Sequence, residues 1–410
     1  MAHPMHIIFL TSARLPTEKA YGYQILKECE TLAGAGASVQ LISPALAPKQ
    51  ARAMMASESP DLHAYYQVRR VFGYVPVPVA RWLDPFWTET SGLWAVAKII
   101  AFALGIDTQV QKAADSIPAI MWTQDLLVAA MLLRGEAPRS WRLVYECHGV
   151  PMRSFRFLLR RLNRASAIVV TTRGIKDYLA ASGVDIGRMI IAPNAVDLDR
   201  FHVGITRAEC RQRLGLPLDR KIVGYIGKFR TYEMEKGIPE LIRSMGVLVH
   251  SIDPPPILLC VGGPLDRVSS YLEIGAANGV APELMRFEDF RPRDEVPLWM
   301  KACDVCTIPS PGSVEFFAKY ASPMKAFEYM AAGVPIVASD IPALAEILTN
   351  GLTAVLVAPT GPEALAGGIL QILNDPTLGS ALAARALAGV RGNSWEARAA
   401  RIIEFVRSRT

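Results

Sequence analysis

Short apolar runs alternate with amphipathic segments along the whole chain. Segments between the runs, such as residues 21–33, repeat their apolar positions at helical spacing. Runs this short, ending in small or polar residues, are typical of buried parallel strands joined by crossover helices. The runs are His6–Leu10, residues 39–42, 119–122, 143–146 and 167–171 in the first half, and Ile222–Ile226, Ile257–Val261, Val305–Ile308, residues 335–338 and 354–357 in the second. The pattern predicts two doubly wound α/β domains, with ligands in a cleft at the carboxyl ends of the strands.

The chain has 410 residues, which is too long for one ordinary domain. The turn-rich segment PNAVDLDRF, residues 193–201, separates the two sets of runs. We therefore expect an N-terminal domain over residues 1–192 and a C-terminal domain over residues 193–393. Residues 394–410 are expected to form a final helix.

The most informative local pattern is ASPMKAFEYMAAGVPIVASDIP, residues 321–342. Phe327, Met330 and Ala331 share one face of a predicted helix, and Gly333 is placed to end it. The apolar run that follows predicts a short buried strand. This pattern therefore predicts a helix that packs directly against the C-terminal sheet.

The start of this helix suits an anion. Ser322, Pro323, Met324 and Lys325 lie at its N-terminus, where backbone N–H groups and the positive end of the helix dipole favour a phosphate. Glu328 follows in the helix body and has a carboxylate able to bind a ribose. The segment predicts a phosphate site beside a ribose site.

A second glycine- and lysine-containing segment, GKFRTYEMEKG, follows the first strand of the C-terminal half. Gly227 allows close backbone approach, and Lys228 and Lys236 provide two cations at a strand's carboxyl end. Such a pair would stabilise a diphosphate leaving group, whereas the alternative is a pair of solvated surface lysines. Gly262 and Gly263 follow the next strand and can also lie at the ligand, although glycines are common turn residues.

Three candidate residues lie in the N-terminal half. Gly22 is the one glycine of the loop after the first strand, which lacks the GxGxxG pattern of dinucleotide-dependent dehydrogenases. Asp125 follows a strand and either caps a helix or faces the cleft. His148 in YECHGV also follows a strand, where it can hydrogen-bond a substrate hydroxyl or serve as a structural polar residue. These three define a predicted acceptor side.

Charge and cysteine content narrow the class of protein. The net charge of +6 is compatible with nucleic acid, anionic lipid or a polyphosphate substrate. Nucleic acid ranks last because no recognised binding module is present. The six cysteines include one CxxC pair, Cys303 and Cys306, within an apolar run. We predict buried thiols, a reducing compartment and a cytoplasmic protein without a signal peptide or spanning helix.

Two segments predict contact with the anionic inner face of a membrane. The stretch PMRSFRFLLRRLNR has arginines and apolar residues at helical spacing, and residues 82–102 are rich in aromatic residues. Interfacial helices combine such faces, whereas the alternative is a core-packing helix with solvated arginines. The helix is predicted to contain Arg153, Arg156, Arg160, Arg161 and Arg164 with Met152, Phe155, Leu158, Leu159 and Leu162.

In chain order, several segments together resemble the GT-B retaining glycosyltransferases of family GT4, glycosyl transferases group 1. The segments are LPTEKAYGYQILKECETLA, YECHG, PNAVDLDRF, YIGKFR…EKG, LCVGGP, SPMKAFEYMAAGVPIVASDIP and SWEARAARIIEFV. The resemblance covers nearly the whole chain. It implies two Rossmann-like domains facing across a cleft, a nucleotide-diphosphate sugar bound mainly by the C-terminal one, and a final helix that crosses back to the N-terminal domain.

By resemblance, Lys228 and Lys236 match the basic pair on the donor diphosphate. Glu328 matches the second, ribose-binding glutamate of the E-x7-E motif, and His148 matches a cleft histidine near sugar and acceptor. Tyr320 stands where the first, sugar-contacting glutamate belongs, so the transferred sugar is not identified. The chain matches an SPxK variant of the motif.

These observations predict a hexosyltransferase that moves a sugar from a nucleotide-diphosphate donor to a glycan, lipid-linked or small-molecule hydroxyl, with retention. No metal or other cofactor is expected, because the lysines and the helix N-terminus supply positive charge. A nucleotide-sugar epimerase of the same fold and a catalytically inactive binding protein remain as alternatives. The nucleotide base, the acceptor and the oligomeric state are not predicted.

Overall fold

The structure is a computed structural model that describes residues 5–17, 19–45, 61–78, 97–102, 105–106, 119–134, 141–151, 153–231 and 233–409. The chain divides into two compact units. The N-terminal unit comprises Met1–Thr171, Ile175–Ala192 and Trp395–Thr410, and the C-terminal unit comprises Thr172–Gly174 and Pro193–Ser394. Each unit is built on its own parallel sheet.

The sheet of the N-terminal unit has seven described strands in the order β3-β2-β1-β4-β5-β6-β7, all parallel. The order reverses between β1 and β4, which is the switch point where doubly wound folds bind ligands. The strands are β1 His6–Leu10, β2 Ser38–Pro44, β3 Gly73–Val77, β4 Ala119–Thr123, β5 Trp141–Cys147, β6 Ala167–Val170 and β7 Met189–Ile191.

The C-terminal unit repeats this arrangement with six strands in the order β12-β11-β8-β13-β14-β15. A separate antiparallel hairpin, β9 and β10, follows β8. The strands are β8 Ile222–Ile226, β9 Arg230–Thr231, β10 Met234–Glu235, β11 Ile257–Val261, β12 Met285–Glu288, β13 Val305–Ile308, β14 Ile336–Ser339 and β15 Val355–Val357. Its switch point lies between β8 and β13.

Helices connect successive strands in both units, as a right-handed parallel crossover requires. In chain order they are α1 Ala20–Gly34, α2 Leu62–Tyr66, α3 Leu126–Leu132, α4 Arg156–Leu159, α5 Arg173–Ala181, α6 Leu198–Phe201, α7 Arg207–Leu214, α8 Ile238–Leu248, α9 Val268–Ala277, α10 Val296–Lys301, α11 Met324–Ala331, α12 Pro342–Ala345, α13 Pro362–Asn374, α14 Pro376–Val390 and α15 Trp395–Arg407. Within the N-terminal unit, Ile402 and Ile403 of α15 join a core cluster with Leu26 of α1.

Strand β8 explains why the central strands are continuous apolar runs. Ile222 and Ile226 belong to the core on one face of the sheet, and Val223 and Tyr225 to the core on the other. Both faces are covered, so no position of the strand is left for a polar residue. The runs predicted from the sequence all correspond to strands, with bounds within two residues.

Five strands were not predicted, and each has a physical reason. β3, β7 and β12 lie at the edges of their sheets. β3 contains a proline and β12 contains charged residues, which interrupt the apolar pattern, and β7 has only three residues, which is too short for a periodic signal. β9 and β10 have two residues each, which is too short for any periodic signal.

The predicted basic helix is wrong as a single element. The structure forms one α-helical turn, α4, between two 3₁₀ segments, Arg153–Phe155 and Arg160–Arg164. Two of its arginines donate instead to carbonyl oxygens around α3: Arg161 to Ala130 at 3.4 Å and Arg164 to Leu133 at 2.6 Å. Met152 and most of the aromatic stretch 82–102 lie outside the described residues.

All six cysteines are buried free thiols, which confirms the prediction made for Cys303 and Cys306. Burial raises the pKa of Cys260 and Cys306 above the usual thiol value, so neither favours the reactive thiolate. Among the described residues, no helix has the length and apolar character needed to cross a membrane.

Candidate active site

Two glycines shape the carboxyl ends of β8 and β11. Gly227 has φ +143° and Gly262 has φ +124°, conformations that favour glycine. A Cβ on Gly262 would lie 2.8 Å from the carbonyl carbon and oxygen of Gly227. The Gly227 N–H in turn donates to the Val261 oxygen at 2.7 Å. The two strand ends therefore pack backbone against backbone, and neither glycine places a side chain at the carboxyl end of its strand.

The hairpin β9–β10 brings the two predicted lysines to the same end of the sheet. Lys228 precedes β9 and Lys236 follows β10. The Lys236 N–H extends the ladder by donating to the Phe229 oxygen at 3.2 Å. Phe229 donates to the Gly263 oxygen at 2.8 Å, which anchors the hairpin to the turn after β11. Lys228 is exposed and Lys236 is half-buried.

Helix α11 is fixed to the end of β8 by one tyrosine. The Tyr329 hydroxyl accepts from the Ile226 N–H at 2.8 Å and donates to the Ile226 oxygen at 3.0 Å. This contact sets the distance between the helix and the strand end that bears Gly227. The helix places Lys325 within electrostatic range of both Lys236 and Glu328.

Lys325 lies alongside the strand end. Its Nζ is 3.7 Å from the centroid of the Tyr225 ring, a cation–π contact. A Cβ on Gly227 would come within 3.4 Å of that Nζ, so the absence of a side chain at Gly227 leaves space for the lysine. Burial and the charge of Lys236 lower the pKa of Lys325 well below its usual value, although Glu328 opposes this shift.

Glu328 is the carboxylate of the site. Burial raises its pKa, and the positive charges of Arg293, Lys325 and Arg200 act in the opposite direction. Sequence reasoning did not identify Arg200, on α6, or Arg293, in the loop after β12, as site residues. Only their location in the chain could have indicated them, because each lies in a connector that leads to or from the C-terminal sheet. The site therefore has more cations than carboxylates.

The turn before α11 is held by a residue that sequence reasoning treated as a plain turn former. The Asn194 N–H donates to Ser322 Oγ at 3.0 Å, and Asn194 Nδ2 donates to the Ser322 oxygen at 2.7 Å. Pro323 occupies the N-cap position, and no side chain caps the first N–H groups of α11, which belong to Met324 and Lys325. These N–H groups can therefore bind an anion.

Tyr320 closes a π-helical turn, Phe316–Tyr320. Its hydroxyl donates to Glu315 Oε1 at 3.0 Å, and Lys319 Nζ lies 3.3 Å from the same oxygen. The turn thus brings Glu315, a glutamate five residues before the motif position, into contact with the tyrosine that occupies that position. Short π-helical turns occur often at functional sites.

The pKa of Lys236 gives a prediction for ligand binding. Burial and the charge of Lys228 lower this pKa to about 8. A diphosphate favours the charged lysine, so affinity should be full below that pKa and fall by up to about tenfold per pH unit above it. We expect a nucleoside diphosphate, titrated calorimetrically, to bind more weakly at pH 9 than at pH 7.

Lys236→Arg is the matched control, because the guanidinium stays charged across this range. Its affinity should change less between pH 7 and pH 9. An equally steep fall in Lys236→Arg would assign the effect to Lys325 instead, and no fall in either protein would contradict the prediction.

The acceptor-side candidates lie in the N-terminal unit. His148 follows β5, and its Nε2 is 2.8 Å from Glu146 Oε1. Asp125 accepts from Ser12 N–H at 2.7 Å and Ser12 Oγ at 2.9 Å, and burial raises its pKa. Its side chain does not cap α3, so the cap alternative is wrong: Ser12 takes both carboxylate oxygens.

Gly22 has a packing reason. A Cβ at this position would lie 2.3 Å from the Tyr66 hydroxyl. That hydroxyl accepts from the Thr17 N–H at 2.6 Å and donates to the Thr17 oxygen at 2.9 Å, which closes the loop between β1 and α1. The glycine therefore allows α1 to start close to this loop.

Comparison with known families supports this organisation. A family model described as "Glycosyl transferase 4-like domain" matches residues 21–195, and one described as "Glycosyl transferases group 1" matches residues 220–375. The two matches occur in chain order and together span most of the chain.

Curated relatives include two D-inositol 3-phosphate glycosyltransferases. The protein from Thermobispora bispora is 29% identical over 224 residues, which cover 53% of this chain and 50% of the relative. The protein from Corynebacterium urealyticum is 30% identical over 255 residues, which cover 60% of this chain and 58% of the relative. The chain therefore spans about half the length of the curated relatives it matches.

Solved structures match over nearly the whole length. Sucrose-phosphate synthase from Thermosynechococcus elongatus has a TM-score of 0.75 at 20% identity and covers 98% of each chain. HepE from Anabaena, in complex with UDP, has a TM-score of 0.72 at 18% identity and covers 98% of this chain and 100% of its own. At these identities the likeness shows the GT-B fold. With the two family matches, it follows that this chain belongs to the GT-B glycosyltransferases of family GT4.

Proposed function

We propose that this protein transfers a sugar from a nucleotide-diphosphate donor to an acceptor hydroxyl, with retention of the anomeric configuration. The observation that supports this most directly is the excess of positive charge in the C-terminal unit. Lys236 and Lys325 lie at the glycine-shaped strand end, with burial and their mutual repulsion lowering the pKa of Lys325. A diphosphate beside them would relieve both effects.

The chemistry of the proposed step needs charge stabilisation above all. As the bond to the sugar breaks, negative charge grows on the diphosphate oxygens. Lys228, Lys236 and the first N–H groups of α11 supply fixed positive potential there, which lowers the barrier without a metal or other cofactor. In a retaining transfer, the departing oxygen takes the proton of the hydroxyl that attacks from the same face. Glu328 is proposed to bind the ribose.

The ligands and activities of similar proteins guide the choice of substrates. HepE has been solved with UDP and with UDP-glucose, and the curated relatives are described as D-inositol 3-phosphate glycosyltransferases. We therefore propose a uridine diphosphate hexose as the first donor to test. Polyol, glycan and lipid-linked hydroxyls are the acceptor classes to test with it.

The test starts with thermal shifts in UDP, GDP, ADP and TDP, of which one is expected to stabilise the protein. The matching radiolabelled nucleotide sugar is then incubated with acceptor pools, and the anomeric configuration of the product is determined by NMR. Glu328→Ala should weaken donor binding, with Glu273→Ala, at an exposed position on α9, as the control. Full activity in Glu328→Ala would remove Glu328 from the proposed site.

The two alternatives give different results in the same assay. An epimerase would convert the donor sugar with no acceptor present. A catalytically inactive binder would be stabilised by the nucleotide yet neither transfer nor slowly hydrolyse the donor. Tyr320, in place of the motif glutamate, is the feature that keeps the inactive alternative under test.

We also propose peripheral contact with an anionic membrane. Phe157 is 70% exposed, and Arg153, Arg156 and Arg160 around it are exposed as well. Such a patch suits anionic headgroups over a shallow apolar anchor. Vesicles containing phosphatidylserine should sediment the protein at low salt and should sediment Phe157→Ser less. If the unaltered protein stays in the supernatant, the patch does not bind membranes.

A further inference from the structure

A buried ion-pair network lies in the interior of the N-terminal unit. Arg398 of α15 donates from Nη1 to Glu28 Oε1 at 2.7 Å and from Nη2 to Glu146 Oε1 at 2.5 Å. The side chains of Arg398, Glu28 and Glu146 are 1%, 2% and 0% exposed. Burying charged side chains this deeply costs free energy of desolvation, which their pairing only partly offsets. A contribution to stability alone therefore does not explain why the three residues are here.

The network extends to His148, a partly exposed residue that follows β5. Glu146 and His148 are two residues apart at the end of β5, so their side chains point to the same face. Gln24 and Glu28 are one turn apart on α1, which places them on one side of that helix. The helix thus presents Glu28 to Arg398 and Gln24 to the His148 ring, while Glu146 of the strand contacts both Arg398 and the ring.

Glu146 cannot turn away from this arrangement. Its Oε1 receives Arg398 Nη2 and lies 2.8 Å from His148 Nε2. Its Oε2 accepts from the indole Nε1–H of Trp122 at 3.0 Å. Both carboxylate oxygens are therefore held by donors from β4, α15 and the end of β5 itself.

The partners assign the histidine tautomer. A carboxylate only accepts, so the proton lies on His148 Nε2, the nitrogen next to Glu146. Gln24 Nε2 lies 3.1 Å from Nδ1 and 3.0 Å from Nε2, and in this tautomer only Nδ1 can accept its N–H. The ring is 25% exposed, and Nδ1 has the lone pair that a substrate hydroxyl could use in place of Gln24.

We propose that Arg398, acting through Glu146, is a positioning residue that holds the His148 ring and its tautomer for the acceptor. The proposal rests on the proposed function and on the resemblance that matches His148 to a histidine near sugar and acceptor. Through Arg398, helix α15 would then help to position an acceptor-side residue in addition to packing against the core. In a Ser-His-Asp triad a carboxylate orients the histidine in the same way. Here a buried guanidinium in turn holds the carboxylate.

The electrostatics agree with this geometry. Burial alone would raise the pKa of Glu146, but the charges of Arg398 and His148 outweigh it and hold that pKa well below the usual value. Burial and the charge of Glu146 raise the pKa of Glu28 well above its usual value. Glu146 is therefore the ionised carboxylate of the pair, which is the form that holds an imidazole N–H.

The first experiment does not depend on enzymatic activity. The chain has six histidines, and the ring ¹⁵N signals of His148 are assigned by their loss in His148→Gln. At about pH 8.5, above the ordinary histidine pKa of about 6.5, we expect the His148 signals to show the Nε2–H tautomer. The Nδ1–H tautomer, or an average of the two, would overturn the proposal.

Three variants then test the connection to Arg398. Glu146→Gln retains the shape, and Arg398→Lys retains the charge without the two-pronged geometry. Ile402→Val removes one methyl group from the core side of α15 and is the matched control. The tautomer signature should be lost in Glu146→Gln, weakened in Arg398→Lys and unchanged in Ile402→Val. The same signature in all three would overturn the proposal.

Kinetics separate this proposal from the proposed function. For an active enzyme, Glu146→Gln should lower the kcat of transfer by about 10- to 100-fold, less than the roughly 10²–10⁴-fold that a positioned acid–base group itself contributes, because the glutamine still fills the site. The donor KM should change by less than about threefold, because the donor is proposed to bind in the C-terminal unit. If no donor is ever turned over, the glycosyltransferase proposal fails while the NMR result still stands or falls alone.

Discussion

Lys236→Met is expected to lower kcat/KM for sugar transfer by about 10²–10³-fold, the usual effect of removing one group that stabilises charge in a transition state. The lysine follows β10, in the hairpin that begins after Gly227, and the charge of Lys236 acts on Lys325. Methionine keeps the length and removes only the ammonium. The loss should therefore appear in the chemical step more than in folding.

Stability should move in the opposite direction. Burial lowers the pKa of Lys236 to about 8, which means that the folded protein disfavours the charged side chain. At pH 7 the methionine variant should unfold at the same or a higher urea concentration than the unaltered protein. Kinetics and urea unfolding on the same preparation measure both effects.

Lys301→Met is the control, since this half-buried lysine ends α10, before β13 begins and so at the opposite end of the strands. It should retain nearly full activity. Equal losses in the two variants would show that the effect is not specific to Lys236, and that Lys236 is not part of a diphosphate site.

The second large effect concerns stability. Arg398→Met should reduce the free energy of unfolding by about 3–5 kcal/mol, because it leaves Glu28 and Glu146 buried with no guanidinium between them. Urea unfolding of the full chain at pH 7, followed by tryptophan fluorescence, measures the loss. Arg401→Met, at an exposed position of the same helix, should cost less than about 1 kcal/mol.

A double variant distinguishes the cost of an unpaired buried charge from the cost of lost packing. Adding Glu146→Gln to Arg398→Met removes the ionised carboxylate that lost its guanidinium partner, so the double variant should be more stable than Arg398→Met alone. If the second change instead lowers stability further, the cost of Arg398→Met comes from lost packing rather than from an unpaired charge.

The predictable part of the fold is the part buried on both faces. β8 and β11 could be predicted to the residue because each is an uninterrupted apolar run, whereas the edge strands β3 and β12 contain a proline and an arginine that hide them. The same argument predicted that Lys228 and Lys236 would lie at a carboxyl strand end. α11 and its end at Gly333 were also predicted, because both have local sequence signals.

The network around Arg398 could not be predicted in this way. Arg398 and Glu28 are 370 positions apart, and no local signal joins them. In sequence, Arg398 looks like an ordinary surface residue of an amphipathic helix, and Glu146 like the polar end of a strand. Only the packing of α15 on α1 and β5 shows that both are buried, and sequence reasoning for one chain contains no such contact.

The connectivity of the N-terminal unit has a consequence for biosynthesis. Glu28 and Glu146 leave the ribosome early, while Arg398 follows only after all of the intervening C-terminal unit has been made. The first unit to be synthesised is thus among the last to be completed. In a chain interrupted between these points, Glu28 and Glu146 have no Arg398 to pair with. The N-terminal unit therefore reaches its full set of core contacts only after the C-terminal unit has been synthesised.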